Sequence, residues 1–298
     1  MPESHVGELA ALITACFWTI TAISFELAGK KIGSLTLNWI RLVFGFVFLS
    51  TATLIMRGQF IPLDASPHIW TWLLISGLVG FTFGDMCLFE AFVIIGSRLS
   101  MLIMALVPPF TAIMSWLVLG ETLSPLDILG MSLTIGGIAW VVVERPEGGN
   151  GIKFKHSVKG VLLAVGGAAG QAIGLILSKY GMADYNAFAA TQIRIIAGIA
   201  GFTVLFFPLK KWGTIRDAFS NQKGMLFSTI GAFFGPFLGV SFSLLAVQKT
   251  LAGVASTIMA IVPILIIPPS VILFREKVTF KEMMGAVIAV VGVALLFL

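Results

Sequence analysis

Most charged side chains of this chain stand in short polar breaks. The few that fall inside long apolar runs are therefore the residues best placed for chemistry: Glu26, Arg41, Asp85 and Glu90. A charge in hydrocarbon is expensive and is kept only where it meets a partner, a water path or a ligand. Opposite charges so placed can form Arg41–Asp85 or Arg98–Glu90 pairs, either as static ion pairs or as a gate that forms in one state and breaks in another. Asp85, about four residues inside the end of its apolar run, is the first candidate for a carboxylate linked to a proton or a ligand. Arg194 has Lys179 and Lys249 near the same side, with only Asp184 acidic there. Cations with few acidic partners suit a ligand carboxylate or phosphate, and equally suit water and lipid headgroups.

Trp18, Asn38, Gln171 and Gln192 are the polar or amphipathic side chains within apolar runs. The amides can bind a ligand or bridge helices, and Trp18 reads as packing. Pro108 and Pro263 fall near the midpoints of their runs. Each removes a backbone donor and frees carbonyls of the preceding turn, a break that either kinks a helix for packing or opens a binding site at mid-membrane. Gly166, Gly170 and Gly174 recur at every fourth position, as do Gly231, Gly235 and Gly239. Such stripes let helix backbones approach closely, and Gly235-Pro236 adds a candidate hinge. Cys16 and Cys87 both sit in apolar runs as packing residues. His5, His68 and His156 are scattered. No metal cluster, nucleotide loop or nucleophile–base pair emerges, so neither an enzyme nor a cofactor is expected.

These residues need a scaffold that can hold them. Hydrophobic residues make up 58% of the 298 and charged residues 11%, too few to cover a water-facing surface. The positive net charge resides in loops between apolar runs and reads as membrane topology, not nucleic-acid binding. The acidic start MPESHVGE lacks the basic region of a signal peptide. Apolar windows predict about ten transmembrane helices near 8–28, 35–56, 68–89, 97–119, 125–143, 158–178, 187–207, 224–247, 252–274 and 279–298. The expected class is an all-α integral membrane protein: a first repeat over 1–145, a linker over 146–157 and a second repeat over 158–298.

The halves repeat each other. IMALVP at 103–108 matches IMAIVP at 258–263, an offset of 155, which also sets Gly80 on Gly235, Gly84 on Gly239, Glu121 on Glu276, Gly130 on Gly285 and Gly137 on Gly292. An offset of 153 sets Arg41 on Arg194 and Trp18 on Gln171. With an odd number of helices per half, the two repeats enter the membrane in opposite orientations. Lys30, Lys31, Arg98, the basic residues of 145–159 and 210–223, Arg275, Lys277 and Lys281 fall on one side; Arg57, Lys179 and Lys249 fall on the other. The rich side is expected to be cytoplasmic, in an inner (plasma) membrane.

The segment LVPPFTAIMSWLVLGETLSPLDILGMSLTIGGIAWVV (106–142) and its weaker copy IVPILIIPPSVILFREKVTFKEMMGAVIAVVGVALLF (261–297) resemble the EamA family of the drug/metabolite transporter superfamily. Both copies keep a proline-broken helix, a turn ending in Glu121 or Glu276, and a glycine-spaced helix. The resemblance implies a secondary transporter that exports amino acids or related small metabolites by alternating access. Protons are a candidate coupling ion, and a monomer is expected. The other readings are a carrier of a sugar phosphate or amphipathic drug, and a non-transporting membrane bundle protein.

Overall fold

The computed structural model describes residues 5–119, 124–144, 153–154, 157–250, 255, 258–275 and 278–295. Among them the chain is almost wholly helical. A pair of two-residue strands, Val143–Glu144 and Lys153–Phe154, is the exception. Helices dominate because a chain in lipid must satisfy its backbone groups within the segment.

Among the described residues, six helices are long and apolar enough to cross a membrane: Val6–Ile32, Ser34–Arg57, the run Pro67–Met114, Val158–Met182, Ala187–Leu209 and Gln222–Lys249. Shorter apolar helices cover Ile128–Val142 and Val262–Phe274. In chain order the first half has α1 (Val6–Ile32), α2 (Ser34–Arg57), α3 (Pro67–Gly77), a π-helical stretch Leu78–Gly84, α4 (Asp85–Ile103), a 3-10 turn Met104–Leu106, α5 (Val107–Leu119) and α6 (Pro125–Val142). The second half has α7 (Val158–Met182), α8 (Ala187–Leu209), α9 (Trp212–Ser220), α10 (Gln222–Ala232), a π-helical stretch Phe233–Gly239, α11 (Val240–Lys249), α12 (Val262–Leu265), α13 (Ile267–Phe274) and α14 (Phe280–Leu295). Short polar side chains mark the starts: Ser66 accepts from the Ile69 amide, Asn186 from Phe188 and Ala189, and Asn221 from Gly224.

Two departures from the sequence reading matter. The third window does not end near 89; α4 runs on until Gly96, at φ 80° and ψ 160°, interrupts it. Only glycine adopts that conformation at no steric penalty. Glu26 caps the renewed helix by accepting from the Ser97 amide at 2.6 Å, and it also pairs with Lys30. Second, the polar stretch after α8 forms α9, with Trp212 packed against Trp39, Phe206 and Phe207.

Equivalent helices of the halves pair with one another. Trp39 donates to Thr203 at 3.0 Å near one end of α2, and Thr53 donates to Gln192 at 3.4 Å near the other, so α2 and α8 run antiparallel. In α6 and α14, a Cβ at Gly137 would lie 2.8 Å from the Gly285 carbonyl, and one at Gly292 would lie 2.7 Å from the Gly130 carbonyl. The stripe Gly166–Gly170–Gly174 of α7 lies along α4 and the first π stretch. Gly170 meets Gly84 and Gly174 meets Gly80, backbone to backbone. The second stripe, Gly231–Gly235–Gly239, lies along α1, where Phe25, Thr21 and Trp18 fill the space. Glu121, Glu276 and most of the 146–157 linker lie outside the described residues.

Candidate binding cavity

The two π stretches occupy matching places, 78–84 and 233–239, the same offset of 155 that relates the glycines. In each, the next residue donates five positions back, Asp85 to the Gly80 carbonyl and Val240 to the Gly235 carbonyl. Single π turns inside helices recur at functional sites. Here they flank a cavity of about 150 Å³ lined from both halves: by Trp18, Thr21 and Phe25 of α1, Arg41 of α2, Phe81, Asp85 and Phe89 of the first π stretch and α4, Gln171 of α7, Arg194 of α8, and Gly235 and Pro236 of the second π stretch. Met101, Met104, Pro108, Ser243, Met259 and Pro263 also line it. The two prolines therefore stand where the helices restart, Pro108 just after the 3-10 turn and Pro263 in the first turn of α12.

Arg41 and Arg194 each lie seven residues beyond the first residue of their helix. At 1.5 Å per residue, that is roughly 10 Å deep. Because α2 and α8 are antiparallel, the two arginines come in from opposite ends to line one cavity. Arg194 is accordingly a cavity residue, beside Asp85, and not a companion of Lys179 and Lys249 at the surface. Likewise Asp85 lies deep rather than near a helix end, because α4 continues well past it.

The charged side chains that are buried among the described residues are Glu26 (1% exposed), Arg41 (3%), Asp85 (4%) and Arg194 (3%). Glu26 is held at the Gly96 break and does not line the cavity. Arg41 pairs with one carboxylate oxygen of Asp85, and Gln171 donates to the other at 2.6 Å. Asn38 orients this pair: it accepts from Arg41 Nε at 3.0 Å and donates to the Asp85 carbonyl at 3.2 Å. The Arg41 guanidinium also lies 4.3 Å from the Phe89 ring centre. Arg194 lies 4.8 Å from that of Phe81, and its Nε finds no acceptor among the described residues.

Other expectations fall differently. Gln192 is away from the cavity; it donates to Ser50 and to the Phe60 carbonyl, both at 2.7 Å, pinning the α2–α3 loop. Beside it Arg57 and Tyr185 both bond Asp64, at 2.5 and 2.9 Å. Slight burial would raise the Asp64 carboxyl, but those bonds outweigh it and hold the group below the usual carboxylate range. The Arg98–Glu90 pair does not form. The Gly96 break turns Arg98 toward Glu282 of α14, at 3.1 Å, while Glu90 accepts from Ser34 and lies 3.9 Å from Lys159. The aromatic and methionine walls were not singled out from sequence, since an apolar residue facing a cavity reads like one facing lipid.

The EamA-like transporter family matches residues 5–143 and 158–298. An uncharacterized transporter of Bacillus subtilis (strain 168), YvbV, is 25% identical over 191 residues, 63% of this chain. The chain spans about 59% of the length of that relative. A crystal structure of a protein aligns at a TM-score of 0.63, with 17% identity, over 97% of this chain and 95% of its own.

Proposed function

The chain belongs to the EamA-like transporter family, and from that premise we propose a secondary transporter of amino acids or related small metabolites that works by alternating access around the central cavity. The observation that carries this reading is a cavity walled by both halves, with a helix interruption from each at Pro108 and Pro263. Sites of this kind lie at repeat interfaces near mid-membrane, where rocking of one half against the other exposes them alternately.

The antiparallel pairing of α2 with α8 supports two inverted repeats, over 1–145 and 158–298. The run Pro67–Met114 has 48 residues, about 72 Å if straight and more than twice the hydrocarbon thickness. The break at Gly96 is then a turn between two spans, and ten spans is the count we adopt. The basic ends face the cytoplasm of an inner-membrane protein, which acts as an exporting monomer. A proton is the candidate coupling ion; Asp85 would accept it when Arg41 withdraws.

Flux of a labelled panel of amino acids and small organic acids into proteoliposomes tests this. Saturable uptake of at least one member is expected, falling when the pH gradient is collapsed. Uptake indifferent to that gradient removes the proton from the cycle. No uptake across the panel by folded protein favours a membrane bundle with no transport role.

A further inference from the structure

Charge in the cavity does not balance. Arg41 and Asp85 neutralise one another, and the second Asp85 oxygen is taken by Gln171. Arg194 adds a second positive charge against the one carboxylate: it is 3% exposed, at the cavity wall, with its Nε lacking any acceptor among the described residues. Two buried guanidinium groups sharing one carboxylate are left short of negative charge, which is strongly unfavourable, so a chain that retains the second has a use for it.

We propose that Arg194 binds the carboxylate of the transported solute, and that this solute is a monocarboxylate with a ring-sized apolar body and no ammonium group. This rests on the transporter reading and, within it, takes the related small metabolites in place of the amino acids. Phe81 occupies one side of the guanidinium, and Gly80, where a Cβ would stand 3.1 Å from Nη2, leaves room along its edge. The remaining wall is mostly apolar, with Phe25, Phe92, Met101 and Met104 prominent and the Thr21 and Ser243 hydroxyls as its polar groups. An apolar cavity of about 150 Å³ accommodates a benzene ring.

Other charge types fit less well. An ammonium needs an anionic partner, and the charge of Asp85, the carboxylate among the lining residues, is already outnumbered by Arg41 and Arg194. A cation would face Arg194 with no carboxylate to spare. A phosphate dianion would call for both arginines, and Arg41 is held by Asp85.

Calorimetric titration of the full chain in nanodiscs tests this with 3-phenylpropionate, phenylalanine, 2-phenylethylamine, phenyl phosphate and chloride. Phenylpropionate should bind, phenylalanine and phenyl phosphate should bind at least about tenfold more weakly, and the amine should give no signal. Arg194→Gln should weaken phenylpropionate binding about tenfold or more, with partial recovery in Arg194→Lys. Without ligand, Arg194→Gln should melt no lower than the unaltered protein, since it removes an uncompensated charge; a purely structural arginine would lower the melting temperature. Equal binding of phenylalanine, no phenylpropionate binding, an affinity untouched by Arg194→Gln, or displacement by chloride alone would each overturn the proposal. Flux of an amine or zwitterion without phenylpropionate binding sinks the proposal and leaves the transporter reading intact. Phenylpropionate binding without flux of any panel member does the reverse.

Discussion

Asp85→Asn is expected to abolish flux and to lower unfolding stability by about 3–5 kcal/mol. The carboxylate receives Arg41 at one oxygen and Gln171 at the other, and Arg194 shares its cavity. Removing the charge leaves two buried guanidinium groups at the cavity wall with no carboxylate among the described lining residues. Thermal unfolding in detergent reads the stability and proteoliposome uptake reads the flux. The double variant Arg41→Gln/Asp85→Asn separates the two roles. It returns the site to the single uncompensated charge of the natural protein, so most of the stability should come back while uptake stays absent. Full uptake by the double variant would show that the pair is only a brace and takes no part in the transport cycle.

Gly170→Ala should be nearly as damaging despite adding one methyl group. The new Cβ would lie 2.6 Å from the Gly84 Cα and 3.0 Å from the Gly84 nitrogen, and those backbone atoms cannot rotate away. Overpacking of this kind costs about 1–3 kcal/mol where side chains can adjust, and here the helices themselves must part. Asp85 follows directly on Gly84, so the displacement also moves the carboxylate from Arg41 and Gln171. A reduced melting temperature together with lost uptake is the expected result. Gly166→Ala is the control: its Cβ would meet only the Cys87 thiol at 3.5 Å, an ordinary contact, and it should behave like the natural protein.

The sequence made parts of this arrangement legible. Long apolar windows locate α1, α2, α7 and α8 because a membrane span depends mainly on length and hydropathy. The Arg41–Asp85 pair is readable because buried charge demands a partner. Matched glycines at Gly80/Gly235 and Gly84/Gly239 mark the irregular turns, though nothing in their spacing separates a π turn from a packing stripe. The repeat also equates Arg194 with Arg41. Charge counts in loops, however, report which end a helix enters from, and not how far a residue seven positions inside will reach. Arg98 found Glu282 and not Glu90 because one glycine, Gly96, redirected the chain. The short α9 was missed since a nine-residue amphipathic segment carries neither the length nor the hydropathy of a span.

A π turn closes its hydrogen bonds one residue later than an α turn and so takes up one residue more. Leu78–Gly84 and Phe233–Gly239 each hold such a surplus, at one matching position. Loss of a codon elsewhere in these helices would rotate everything beyond it by about 100° and carry Asp85 away from its partners. The same loss within the π stretch is absorbed, because the turn reverts to α and the helix beyond stays in phase.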